Sequence, residues 1–298
     1  MQIPPSQRPH LRHFAAELRQ AKPAPDRIAL AIAGMVHPDL DVGHYLRQID
    51  EIATQVGEAL AVTDAGHARA ARFLAVLNRD LGFRGNLVDY YDPRNSLLNE
   101  VLERRLGLPI LLSLLCMAVG RRLGIDVQGL GFPGHFLALY TDEAGTWILD
   151  PFHSEVLAPD DVTDYLARKY RQPVALPSTS RRPVTALELA QRILNNLHNV
   201  YMLTRSYELV VRVLDYLVVV MPSHAPYWQE RGLLQYELGE YEAASRDLRR
   251  SFYLTDRLSL ALELGGAQDE ADRKTLGAEE RHMMELFRQA ESTLTRVN

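Results

Sequence analysis

Cysteine is almost missing from this chain. Cys116 stands alone in 298 residues, so no internal disulfide can form, and the chain reads as a protein of a reducing compartment. An excess of one charge is missing too. A net charge of −5 and a pI near 6.1 leave no basic footprint, which excludes a nucleic-acid binder of the usual electrostatic kind. With 47% apolar residues and so small a net charge, disorder is excluded over most of the length. A long hydrophobic run is the third absence. Leu106–Gly120 is uncharged, but its 15 residues fall short of the ~20 needed to cross hydrocarbon. Flanked by Arg104 and Arg105 on one side and Arg121 and Arg122 on the other, it reads as a helix buried on all sides of a domain core. The opening stretch, MQIPPSQRPHLRHF, has no apolar core before a small-residue cleavage site, so no signal peptide is expected. The expectation is a soluble, cytoplasmic protein with neither a nucleic-acid nor a membrane partner.

What is present falls into regions of different texture. Residues 1–25 hold five prolines and no sustained apolar pattern, and are expected to form a flexible N-terminal arm. From Asp26 to about Arg84 the pattern is helical. Ile28, Ala31, Ile32 and Met35 keep i, i+3, i+4 spacing, as do Phe73, Leu74, Leu77 and Leu81. Asn95-Ser96 is placed to cap a short helix through Arg105. The apolar helix then starts with Pro109 in its first turn and stops at Gly124. Short runs at Val127–Gly131, Phe136–Tyr140 and Thr146–Leu149 read as strands, the last two joined by a turn at Asp142–Gly145. Residues 26–170 are therefore expected to form an α+β domain with a helical N-terminal part. Residues 171–183, rich in proline and serine and without periodicity, read as a linker.

Residues 184–298 are helical and repeat. Tyr207 and Tyr241 are 34 residues apart, the period of the tetratricopeptide repeat. Trp228, Gly232, Gly239, Tyr241 and Ala244 fit the large and small positions of one unit, and Tyr201 and Tyr207 those of the unit before it. In such a unit small residues let two helices approach, and large ones fill the groove of the next unit. A helix from about Ala278 to Thr295 is expected to cap the stack, or the stack to lean on the α+β unit. A protein or peptide partner is expected to bind through these repeats.

The middle of the chain holds a constellation. Gly107-Leu108-Pro109-Ile110-Leu111-Leu112-Ser113 leads through Arg121-Arg122-Leu123-Gly124-Ile125 to His135-Phe136-Leu137-Ala138-Leu139-Tyr140 and Trp147-Ile148-Leu149-Asp150-Pro151. This resembles the core of the transglutaminase-like superfamily, in which Gly-x-Cys opens a helix and a histidine and an aspartate lead and end two following strands. With Glu103-Arg104-Arg105, Phe132-Pro133-Gly134 and the C-terminal repeats added, it resembles one bacterial family, the SirB-type invasion regulators. The resemblance implies an α+β, papain-like fold with a Cys–His–acid site. In that chemistry a thiolate at a helix N-terminus is stabilised by free N–H groups and the dipole, and a carboxylate orients the histidine that takes its proton.

Here the histidine and the acid are present and the nucleophile is not. A turn centred on Glu143-Ala144 makes His135 and Asp150 diagonal cross-strand neighbours, about 7–8 Å apart by backbone. Pro109 stands where the resemblance puts the cysteine. Cys116 lies seven residues further on, about 10 Å along the axis, among leucines whose burial would raise its pKa. Ser113 either bonds back to a helix carbonyl or points into the site toward His135. Glu103 and Arg105 precede the helix and are placed either to line the site or to face solvent. His153 would complete a metal set with His135 and Asp150 only if Pro151 did not redirect the chain between them. No metal and no cofactor are expected.

Two functions stay open on the sequence. One is a non-catalytic interaction or regulatory module, a pseudoenzyme that works with its repeats. The other is a hydrolase or acyl-transfer enzyme with an altered site built on His135 and Asp150 with Ser113, Cys116 or a bound water. A purely structural adaptor working through the repeats alone would differ in that alanine at His135 has no effect. The linker assignment has its own test. Limited proteolysis should cut between Arg171 and Arg182 before either neighbouring region, and a first cut inside 108–150 would count against the α+β unit.

Overall fold

This computed structural model describes residues 9–60, 65–171, 173, 182–263 and 277–297. The chain divides into a unit of residues 9–200 and a second that begins at Tyr201. The first starts with helices α1 (Pro9–Leu18), α2 (Pro25–Ala33), α3 (Val42–Ala59) and α4 (Gly66–Ala75). Leu11 and Phe14 of α1 are buried. Residues 9–18 thus form a docked helix where an arm was expected, because two apolar side chains one turn apart are enough to seat it. Residues 1–8 of that arm lie outside the described residues.

After α4 come a two-residue strand β1 (Arg84–Gly85), α5 (Leu98–Arg104) and β2 (Leu106–Gly107), with β1 and β2 pairing in parallel. Helix α6 (Pro109–Leu123) follows and is the axis of this unit. Its side chains from Pro109 to Cys116 are all buried, as are Ala118 and Val119. Proline at its first position loses no intrahelical bond, and Gly124 stops it at φ 68°. Gly120 lets the neighbouring strand come close, since a Cβ there would meet Val127 Cγ2 at 2.5 Å. Near the helix end, Arg121 and Arg122 reach the fully buried Asp26 at 3.1 and 2.7 Å. These ion pairs tie α6 to the start of α2.

The antiparallel sheet β3 (Asp126–Phe132), β4 (His135–Asp142), β5 (Gly145–Asp150) and β6 (Glu155–Leu157) lies against α6 in that order. Helix α7 (Val162–Tyr170) closes over it, burying Val162, Tyr165 and Leu166 against Leu130, Phe132, Leu137 and Ile148. The expected linker falls mostly outside the described residues. Its end does not hang free: Pro183 bridges to Leu130, and the Val184 N–H donates to Gly129 O at 2.9 Å. The next helix, α8 (Ala186–Leu203), starts in this unit, so the compact unit extends to Val200 rather than ending at 170.

The second unit holds α9 (Tyr207–Val220), α10 (Ala225–Glu237), α11 (Tyr241–Leu254), α12 (Leu258–Glu263) and α13 (Ala278–Val297). Gly232 of α10 allows close approach to α11, because a Cβ would come within 2.9 Å of Leu248 Cγ. Gly239 turns between the two helices at φ 79°. Buried Arg231 ties three helices, bonding Asp247 at 2.6 and 2.8 Å and Asp215 at 2.8 Å, beneath the Trp228 ring. Ala244 and Tyr201 are buried, and Tyr241 packs edge-on against Tyr236. Tyr207 does not fill a groove; it is 38% exposed at the first position of α9, where no neighbouring turn covers it. Helix α13 covers α11 through Met284 and Phe287 on Phe252, the cap read from the sequence. Among the described residues no helix is long and apolar enough to cross a membrane.

Helix α6 as the buried axis is directly testable. Leu112→Ala or Leu115→Ala should each cost ~2–5 kcal/mol in denaturant unfolding. Curves that barely move for both would place the helix at the surface.

Candidate functional site

Strand register builds the site. Phe132 pairs with His135 across β3 and β4, and Ala138 pairs with Leu149 across β4 and β5. His135 therefore leads β4 while Asp150 ends β5 on the diagonal, and His135 Nε2 lies 2.7 Å from Asp150 Oδ2. Asp150 is fully buried, yet well satisfied. Tyr165 donates its hydroxyl to Oδ2 at 2.7 Å, and His153 Nδ1 lies 2.9 Å from the same oxygen. The backbone N–H groups of Phe152 and His153 both donate to Oδ1 at 3.0 Å. Burial pushes the Asp150 pKa up. The hydrogen bonds from His135, His153 and Tyr165 outweigh that and hold the carboxyl well below its ordinary range. Burial, reinforced by this carboxylate, drives the Tyr165 pKa up. An ionised Asp150 only accepts, so both histidines present N–H to it. In a neutral His135 the lone pair then sits on Nδ1.

The histidine opens on a cleft of about 240 Å³. Pro109 and Ile110 form one wall at the tip of α6, and Gly134, His135 and Phe136 a second. Tyr90 and the α8 residues Arg192, Asn195 and Asn196 complete it. Pro109 and His135 thus share one cleft, as the resemblance implied. The other expected lining residues do not reach it. Cys116 is buried in the α6 core, and that burial pushes its thiol up to about 12. Ser113 takes neither of its expected courses, because its hydroxyl donates to Phe136 O on β4 at 3.3 Å. Glu103 accepts from the Tyr45 hydroxyl. Arg105 caps α5 at φ 61°, donates to Leu81 O at 3.1 Å and lies over the Phe83 ring. Both charges are thereby spent on joining helices.

Several site residues carried no signal that sequence reasoning used. Tyr90 is set by a loop pinned from within. Asn95 Nδ2 donates to Asp89 O at 2.7 Å and Asn86 Nδ2 to Asn95 Oδ1 at 3.1 Å, both asparagines being buried. Asn95 is therefore a loop anchor rather than the expected cap; Asp92 caps the short turn there instead. Arg192 lay in what reads as a repeat helix. His153 was expected to be turned away by Pro151, but the turn at residues 151–154 keeps it on Asp150, with its N–H on Oδ1 and its Nδ1 beside Oδ2. Ligand atoms of His135, Asp150 and His153 lie within 4.8 Å of one another, and they are the residues that could hold a metal ion. An ion there would have to replace the hydrogen bonds that now satisfy Oδ2.

The comparisons with known proteins agree with this fold class. The family model described as the transglutaminase-like superfamily matches residues 43–195, and a tetratricopeptide-repeat model matches 197–261. A UPF0162 protein of Xylella fastidiosa is 34% identical over 232 residues, 76% of this chain and 82% of that protein. One from Pseudomonas aeruginosa is 30% identical over 83% of this chain and 91% of its own. F-box only protein 21 of Homo sapiens is 42% identical over 77 residues, 26% of this chain and 12% of that protein. A menin crystal structure aligns over 89% of this chain and 72% of its own at 12% identity, with a TM-score of 0.35, too weak a likeness to bear on the fold.

The buried carboxylate predicts a pH dependence. Its folded pKa lies below its unfolded value of about 3.9. Its stabilisation is therefore complete above that value and is lost as pH falls through the folded pKa. Asp150→Asn should cost ~3 kcal/mol at neutral pH, on the scale of lost charge-assisted hydrogen bonds. The gap between the two proteins should shrink below about pH 4. A gap that is constant from pH 7 to pH 3 in urea titrations would mean the carboxylate is not held ionised.

Proposed function

The chain belongs to the transglutaminase-like superfamily and, by its relatives, to the UPF0162 proteins, and from that premise we propose that it is a non-catalytic binding module. The observation that carries this is the residue at the tip of α6. Acyl transfer at such a site needs a nucleophile where the helix dipole and free amides stabilise its anion and a histidine can take its proton. Pro109 supplies neither a nucleophilic group nor an N–H, although it lines the same cleft as His135. The cleft keeps the parts that bind: a fixed imidazole, amide side chains and a guanidinium. The repeats add a second binding surface for a protein or peptide partner. The lone, buried cysteine is in keeping with work in a reducing compartment, the cytoplasm.

The competing reading, an altered hydrolase or acyl-transfer enzyme, needs another nucleophile beside His135. Ser113 is committed to the Phe136 carbonyl, and Cys116 is buried with its thiol pushed up to about 12. Neither is set up to attack.

The test is kinetic. Amine incorporation, deamidation and peptidase assays on generic substrates should show no turnover above blank, and iodoacetamide should label Cys116 no faster than a free thiol peptide. Pro109→Cys should create a thiol that reacts faster than Cys116 at neutral pH, and His135→Ala should remove the excess. Rapid, His135-dependent labelling of Cys116 in the wild-type protein would overturn the non-catalytic reading.

A further inference from the structure

Arg192 is an unusual residue to find in this cleft. Its Nη1 donates to Phe132 O at 3.1 Å, and its guanidinium lies 5.9 Å from the centroid of the Phe136 ring. It packs so closely on the backbone that a Cβ at Gly131 would meet its Cζ at 2.7 Å. The group is thus fixed by a carbonyl, a ring and a glycine rather than by an acid. Among the described residues no carboxylate lies within ion-pair distance of it. The nearest helical acid, Glu188, is engaged by Arg182 at 3.0 Å and by the Thr185 N–H at 2.7 Å. Burial pulls the Arg192 pKa down, and the charge of Glu188 one turn away offsets this only in part. The negative charge nearest the cleft, Asp150, is already covered by its own donors.

Two further features of the cleft mouth favour an anion of one charge. Pro109 and Ile110 open the 15-residue helix α6, whose N-terminus carries positive partial charge. Asn196 offers an amide beside Arg192. Among the described residues Arg192 is the only arginine or lysine lining the cleft, so a phosphate dianion would be left undercompensated by them. A carboxylate matches both its charge and the planar fork of the guanidinium. The neighbouring loop suits a polypeptide carrier. It presents Leu87 and Val88 at 73% and 99% exposure, beside Tyr90 in the cleft wall, and its backbone is pinned by Asn86 and Asn95. Apolar side chains held rigidly in water next to a polar cleft are the form of a recognition surface.

We propose that this cleft binds a carboxylate group of a peptide, held by Arg192, with the residues beside the carboxylate resting on the 87–91 loop. The inference rests on the cleft being a binding site, and it adds the chemistry of what is bound.

The experiment uses the full chain and two bead libraries of random octapeptides, one with free C-terminal carboxylates and one with C-terminal amides. The protein should retain beads, and resynthesised hits should lose at least tenfold in affinity with Arg192→Gln and recover part of it with Arg192→Lys. Hits confined to the free-acid library identify the C-terminus as the source. Hits from the amide library that contain Asp or Glu and still need Arg192 identify a side chain. Because Arg192→Gln also removes a structural hydrogen bond, Asn196→Asp serves as a second variant. It leaves Arg192 in place, adds a repelling charge, and should weaken the same hits at least tenfold. Peptides that bind the cleft with no dependence on Arg192 or on a carboxylate would overturn this inference while leaving the binding-module reading intact. Retention of no beads beyond those held by Arg192→Gln would overturn it as well.

Discussion

A carboxylate enters a protein interior only if donors replace the water it leaves, and the order of the whole site follows from how Asp150 meets that demand. Its donors come from the head of β4, the turn after β5 and the middle of α7. Satisfying one side chain therefore fixes the strand pair, the turn and the closing helix together. His135 is oriented as a consequence, since the nitrogen that serves Asp150 leaves the other for the cleft. Tyr165 shows the coupling in the other direction: it is at once a donor to Asp150 and a core residue among Leu130, Leu137 and Leu166.

Against this fixed half of the site stands a helix tip with its reactive group missing. Helix α6 is buried on nearly every face, so its N-terminus is held in place whatever residue occupies it. Proline there is compatible with the fold, because the first N–H of a helix has no intrahelical acceptor. It is incompatible with nucleophilic chemistry at that position. On the proposed reading geometry and reactivity have separated: His135 and Asp150 are held in place, and the helix tip beside them carries no nucleophile. Arg192 then becomes the strongest single feature of the cleft, a partly buried cation with no carboxylate in ion-pair distance among the described residues.

Much of this was legible in the sequence because it depended on periodicity and on short-range pairing. The uncharged run before Arg121 read as a buried helix because it is too short to cross hydrocarbon, and the Asp142–Gly145 turn placed His135 and Asp150 on the diagonal that the strand register has. The 34-residue spacing of Tyr207 and Tyr241 marked the starts of α9 and α11. What stayed hidden depended on contacts between residues far apart in the chain. A two-residue parallel pair such as β1 and β2 has no periodicity to read. An arginine on an amphipathic helix looks like any solvated charge until the fold lays it over Gly131 and Phe136. Asn86 and Asn95 resemble ordinary loop residues, although their side chains are what hold Tyr90 at the cleft. Pro151 was read as turning His153 away from Asp150, whereas hydrogen bonds from the His153 N–H and ring to the Asp150 carboxylate hold it there, and a proline in the sequence does not reveal such a turn.

The central claim is that this cleft binds without forming a covalent bond, and trapping the bond tests it most directly. The full chain would be exposed at neutral pH to a panel of activated acyl donors, thioesters and p-nitrophenyl esters, and examined by intact-mass spectrometry and peptide mapping. The account predicts no acyl adduct on any residue of the cleft, and the same background labelling in wild type and His135→Ala. An acyl group on a cleft residue that disappears in His135→Ala would contradict it.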